Sequence, residues 1–178
     1  MIIPSTRLFK AGEIETGSYL NSSITNLGNF LLGKPVFLAW QSVVQSIPNN
    51  AYTPVTFTSE TVDRDNGHSV TTNTSRYTAQ TAGYYLFNGT IQYASNVTGS
   101  RRAYWQVNGG TPAGGGGFFT TSSTLLAGTA SVVAPPFLYY LAVGDYVELN
   151  AFQNSGAALN TVATGGVFST MSAIWVSV

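Results

Sequence analysis

Residues 78–94 read TAQTAGYYLFNGTIQYA. Ala82-Gly83 punctuates a turn, and from there the side chains alternate. Tyr85, Phe87, Gly89, Ile91 and Tyr93 share one parity, and Tyr84, Leu86, Asn88, Thr90 and Gln92 share the other. Alternation at period two, rich in aromatic and β-branched residues, specifies a strand with one face in a core. The second face starts apolar, at Tyr84 and Leu86, and ends polar. One end of this strand is therefore expected to be covered on both sides, with a neighbouring subunit as the cover.

Turn signals recur at intervals of roughly ten residues around that strand. Val36 opens a β-rich run to Ile47, closed by Pro48-Asn49-Asn50. Tyr52, Val55 and Phe57 mark a short strand, and Pro54 within it suits a sheet edge. Asp63-Arg64-Asp65-Asn66-Gly67 is a polar loop. Residues 101–107, RRAYWQV, form a strand closed by Asn108-Gly109, a strong hairpin signal. Residues 118–133 continue as strand, and Pro135-Pro136 breaks or bulges it before residues 137–143. Gly144-Asp145 turns the chain into residues 146–153, and residues 167–178 form the last strand. Eight to ten short strands spell an all-β sandwich or barrel.

One segment differs. Within residues 16–32, Leu20, Ile24, Leu27 and Leu31 are spaced 4, 3 and 4, which places them in one stripe of a helix. Thr16 or Ser18 caps its start, and Gly33 with Pro35 ends it. The same spacing is a coiled-coil seam. Two readings stay open: a helix folded back on its own domain, or one associating with copies of itself or with a larger assembly.

The 178 residues suffice for one domain with a real core and a short appendage. Charged residues make up 8% and the formal net charge is zero, a balance that favours association. Basic residues are scattered, which argues against nucleic-acid binding. There is no cysteine, so neither disulfides nor thiolate metal sites exist. No run approaches the ~18 apolar residues of a membrane helix, and MIIPSTRLFK does not read as a signal peptide. The Asn-x-Ser/Thr sequons at Asn21, Asn73, Asn88 and Asn96 are expected by chance in so Asn-, Ser- and Thr-rich a chain.

Catalytic constellations are sparse. His68 is the one histidine, near Asp63 and Asp65, and no nucleophile elbow accompanies it. It reads as a loop histidine beside turn aspartates. Glu60, Asp63, Asp65, Asp145 and Glu148 are better explained as turn and surface residues than as a glycosidase pair. Asp63-x-Asp65 opens like a calcium loop, but the twelfth position is Thr74 where the motif needs glutamate. The glycines at 114–117 lack the ending of a phosphate loop. Arg101 and Arg102 point to opposite faces of a strand and read as a solvated edge. Trp40, Tyr104 and Trp105 read as core or interface rather than sugar platforms. An enzyme, a cofactor and a metal are therefore not expected.

Three stretches carry a family resemblance. Gln80-Thr81-Ala82-Gly83-Tyr84-Tyr85-Leu86-Phe87 resembles the turn-Gly-x-Tyr-x-Phe strand of C1q/TNF-like jelly rolls. Leu141-Ala142-Val143-Gly144-Asp145-Tyr146-Val147-Glu148-Leu149 resembles their Leu-x-x-Gly-Asp-x-Val-x-Leu hairpin. Residues 170–175 sit where the family ends, with Met171 for an aromatic and Ala173 for a glycine. The resemblance covers residues 36–178 and implies a C1q/TNF-like jelly-roll sandwich, residues 34–178, that trimerises through Tyr84, Leu86 and Tyr146. Residues 11–21 and 29–32 look like the leader before such domains in structural proteins of tailed bacteriophages. This second resemblance implies a virion structural protein, a capsid decoration, head fibre or tail appendage, assembled in the host cytoplasm. Residues 1–33 would be its attachment segment, with Leu20, Ile24, Leu27 and Leu31 meeting other virion proteins. The alternative is a receptor- or glycan-binding module whose loops 95–100 and 110–117 contact a host-surface glycan or protein. A secreted TNF-like ligand is not expected without a signal peptide.

Overall fold

The structure, a computed structural model, describes residues 4, 11–13, 16–110, 120–122 and 129–178. The elements in chain order are α1 (Gly17–Leu32), β1 (Val36–Trp40), β2 (Ser46–Ile47), β3 (Thr53–Pro54), β4 (Ser59–Asp63), β5 (Arg76–Thr78), β6 (Gly83–Tyr93), β7 (Arg101–Val107), β8 (Thr120–Ser122), β9 (Ala130–Leu141), β10 (Tyr146–Gln153), β11 (Leu159–Asn160), β12 (Ala163–Thr164), β13 (Val167–Phe168) and β14 (Thr170–Ser177). One sheet runs β4-β1-β14-β6-β9. The facing sheet runs β3-β10-β7-β8, with β5 also on β10. Every strand pairing in the two sheets is antiparallel. The result is a jelly-roll sandwich.

The residues singled out on β6 fill it. Tyr85, Phe87, Ile91 and Tyr93 are fully buried. Aromatic rings continue across the interior: Phe37 to Tyr77 at 5.0 Å, Tyr77 to Tyr85 at 5.7 Å, Phe87 to Trp105 at 5.9 Å, and Trp105 stacked on Phe137 at 6.1 Å. Centroid separations of this size are favourable aromatic contacts. Gly89 interrupts the row because a Cβ there would meet Leu149 and the Trp105 indole across the sandwich. Tyr93 ties the sheets together: its hydroxyl donates to the Arg102 carbonyl (2.8 Å) and accepts from the Phe152 amide (3.1 Å).

The turns follow their residues. Asn108 and Gly109 both have positive φ, and Val107 and Gly110 bridge across them. Gly144 has φ 92°, and Asp145 accepts from the Ala142 amide at 2.8 Å. Gly83 has φ 147° and sits against Trp175 and the Ser177 carbonyl, where no Cβ fits. Pro135-Pro136 does not end β9. It produces a register shift opposite Phe87 and Gly89, and the strand continues. Pro54 lies in β3 at the sheet edge. The β-rich run from Val36 divides into β1 and β2, because residues 41–45 leave the sheet.

Candidate assembly surface

The outer face of the β1-β14-β6-β9 sheet divides into two halves. Register aligns Val36, Ile174, Leu86 and Leu138 in one row across four strands. The next row towards the start of β6 holds Tyr84 and Tyr140, edge to face at 5.4 Å, with Val176 beside it on β14. Tyr84, Leu138, Tyr140, Ile174 and Val176 are each 44–58% exposed. Towards the other end the face is mostly polar: Asn88 with Ser172, then Thr90 with Thr170 and an exposed Val133, then Gln92 with Ser131, whose hydroxyl donates to Gln92 Oε1 at 2.6 Å. Five large apolar side chains open to solvent on one half of the sheet face form a contiguous patch, the mark of an interaction surface.

Tyr84 and Leu86, singled out in the sequence, lie on this face; Leu138, Tyr140, Ile174 and Val176, which lie beside them, were not singled out. The signal was present. Residues 137–141 and 173–176 are apolar at both parities, as a strand covered on both faces requires, and so is the start of β6, residues 84–87. Tyr146 does not join this surface. It lies on β10 in the other sheet, with the Arg76 guanidinium carbon 4.1 Å from its ring centroid, and Arg76 Nε donates to Glu148 at 3.2 Å.

Helix α1 lies at the apolar end of the sheet. Phe30, its one buried residue, packs edge to face on Trp175 at 5.2 Å, and Lys34 Nζ lies 5.4 Å from the same indole. Arg64 Nη1 donates to the Leu32 carbonyl at 2.7 Å. Thr16 is the N-cap residue, but its side chain makes no capping bond and pairs instead with the Ser18 hydroxyl at 3.0 Å. Gly33 ends the helix, its amide donating to the Asn29 carbonyl. The stripe of Leu20, Ile24, Leu27 and Leu31 is about half exposed along its whole length and does not fold back on its own domain.

The polar candidates are absorbed by the fold. His68 lies in the loop beside Asp63, and its side chain is fully buried, 5.1 Å from the Phe37 ring. Its Nδ1 lies 3.0 Å from Glu60 Oε1 and its Nε2 3.1 Å from the Thr74 carbonyl, so no serine occupies either nitrogen. Asp63 accepts the Gly67 and His68 amides, at 3.1 and 2.9 Å, and closes the turn. Asp65 takes the Tyr77 hydroxyl at 2.9 Å. Burial raises the Asp65 carboxyl above its ordinary range, with a smaller push from Asp63. Burial likewise raises the Tyr77 and Tyr93 phenols and pushes Tyr85 up to about 12. Asp145 takes the Asn108 amide at 2.8 Å, and Glu148 takes the Ser75 hydroxyl at 2.6 Å. Among the described residues no three His, Asp or Glu side chains converge as a metal site.

Arg101 is a correction to the solvated-edge expectation. It is 3% exposed and donates to the Thr98 carbonyl and, at 2.8 Å, to that of Asn96, clamping loop 95–100. Ala103 and Trp105, on the same parity, point into the core, so Arg101 plugs the end of the sandwich rather than guarding an edge. Arg102, on the opposite face, covers the Phe152 ring at 5.0 Å. Trp105 is core, and Trp40 packs on Phe168 at 4.7 Å. Of loop 110–117, all but Gly110 lies outside the described residues.

No protein-family model and no curated protein matches this sequence. Solved structures do. Murine APRIL at pH 5.0 superposes with a TM-score of 0.55 at 15% identity, over 80% of this chain and 99% of that one. The Eiger TNF of S. frugiperda superposes with a TM-score of 0.52 at 16% identity, over 81% and 94%. At this level of identity the likeness concerns the fold, which is the TNF-like jelly roll that the sequence motifs indicated.

Proposed function

We propose that this chain is a non-catalytic, homotrimeric jelly-roll head that serves as a virion structural protein. The observation that carries the trimer is the apolar half of the sheet face. Tyr84, Leu86, Leu138, Tyr140 and Ile174 gain little by facing water and lie side by side on neighbouring strands as one patch. Three copies related by a three-fold axis would bury it, with the polar half lying outside the contact. The absorbed polar groups around His68 support a scaffold rather than an active site.

The virion reading rests on the resemblance of residues 11–21 and 29–32 to leaders of tailed-phage structural proteins. On that reading residues 1–33 attach the head to capsid or tail proteins. Deleting residues 1–33 should leave a folded trimer that no longer joins particles; incorporation of the truncated protein would place the anchor elsewhere.

A second reading, a glycan-binding tip, is favoured by one feature of the opposite sheet. Tyr52 is 44% exposed and lies 5.2 Å from the buried Tyr104 and 4.9 Å from Phe152, an aromatic cluster that opens to solvent at Tyr52. Tyr52→Ala should abolish binding on an array of host-surface glycans if this reading holds. No binding by the unaltered protein would remove it.

A further inference from the structure

The exposed stripe of α1 has no reason to exist on a lone chain. The helix is sixteen residues long, contains no charged residue, lacks a side-chain cap, and buries only Phe30. Its sequence, GSYLNSSITNLGNFLL, holds two glycines, three asparagines and four Ser or Thr residues, all weak helix formers. An isolated helix of this length is marginal even with good residues. Packing must therefore supply what propensity does not. Phe30 supplies one ring contact with the chain's own head, and five large aliphatic side chains, the four of the stripe and Leu32, remain in water.

We propose that Leu20, Ile24, Leu27 and Leu31 form the seam of a parallel coiled coil among copies of this chain, continuous with the apolar end of the sheet face. Three observations select that occupant. The 4-3-4 spacing places Leu20 and Leu27 at d and Ile24 and Leu31 at a, the pattern by which identical helices interlock. With no charge on the helix, parallel copies in register meet no like-charge repulsion. The geometry leaves the seam free for a neighbour: at about 100° per residue, Phe30 lies about 90° round the helix from the stripe. One face thus docks on the head while the adjacent face turns to another helix. Phe30 anchors the helix on Trp175, whose neighbours Ile174 and Val176 belong to the sheet's apolar half. The two apolar surfaces therefore meet at one end of the molecule. The head fixes the number of chains, and the helices extend the contact towards the N-terminus.

This inference rests on the trimeric reading, and the test separates the two. The chain has no cysteine, so a single introduced thiol reports one position. Leu27→Cys places it in the seam, and Ser22→Cys places it about 170° away on the opposite side of the helix. Both full-length variants are oxidised at low protein concentration, and covalent dimer is followed on denaturing gels, alongside the mass of the unaltered protein by light scattering. The expected result is a trimeric mass with Leu27→Cys cross-linking at least tenfold faster than Ser22→Cys. Equal rates in a protein of trimeric mass would overturn the coiled coil and leave the head trimer standing. A single-chain mass with equal rates would overturn both.

Discussion

Gly89 shows how one residue type is dictated by the opposite sheet. It faces inward on β6, and an added methyl would meet Leu149 and Trp105. Gly89→Ala should cost about 1–3 kcal/mol of stability through overpacking, read from denaturant unfolding. The buried phenols make the fold sensitive to alkali. Tyr85 is held protonated up to about 12 in the native state against an ordinary 10, by burial first and by the charge on Asp65 second. The unfolded chain loses that proton first as pH rises. The stability is intact below pH 10 and declines through the window up to about 12. Tyr85→Phe should lessen the slope of stability against pH there by about 1.4 kcal/mol per unit. It should also cost about 1 kcal/mol at neutral pH for the lost bond to the Thr81 carbonyl. Asp65 is raised too, so the native state holds its proton more tightly than the unfolded chain does. Its contribution is fully present below the ordinary carboxyl value of 3.8 and is lost as pH rises through the native value. Asp65→Asn, whose amide oxygen still accepts from Tyr77, should therefore gain stability relative to the unaltered protein as pH is raised from acid to neutral. An unchanged difference across that range would contradict the assignment.

Among the elements, β6 was the most legible in sequence because only one of its faces is fully enclosed, so its alternation is visible. The hairpin at Asn108-Gly109, the edge strand at Pro54 and the turn at Gly144-Asp145 were legible for the same kind of reason: each needs a residue of restricted conformation at a fixed place. β9 and β14 were legible as strands but not as surface. Apolar residues at both parities conceal which face is core until pairing with β6 sets Leu138 and Ile174 beside Leu86. The burial of His68 and Arg101 was not legible, since His68 is covered by Phe37 and by Glu60 on β4, and Arg101 is enclosed only when the loop before it folds over its guanidinium. For α1 the stripe and both ends were legible, and its orientation was not, because one ring contact from Phe30 to Trp175 decides it. Phe30→Ala should release that contact. Amide exchange in residues 17–32 should then quicken, while the stability of the head changes by less than about 1 kcal/mol. Loss of the head's cooperative unfolding would show instead that the helix is part of the core.

For the whole molecule, the ring-lined interior accounts for the fold, and the apolar half of the outer sheet face is the surface on which the proposed trimer rests. The energetic centre of that face should be the Tyr84–Tyr140 pair, with Ile174, Leu86 and Leu138 beside it excluding water, since aromatic anchors in the middle of a patch carry most of an interface's stability. Leu86→Asp places an uncompensated carboxylate there. It should break association while leaving the strand's inner face, and so the fold, intact. The measurement that bears most directly on this is the solution mass by light scattering at micromolar concentration, for the unaltered chain and for Leu86→Asp. The account predicts three times the 18.8 kDa chain for the former and a single chain for the latter, with unchanged β-sheet circular dichroism. A stable single-chain mass for the unaltered protein, or a trimer undisturbed by Leu86→Asp, would contradict it.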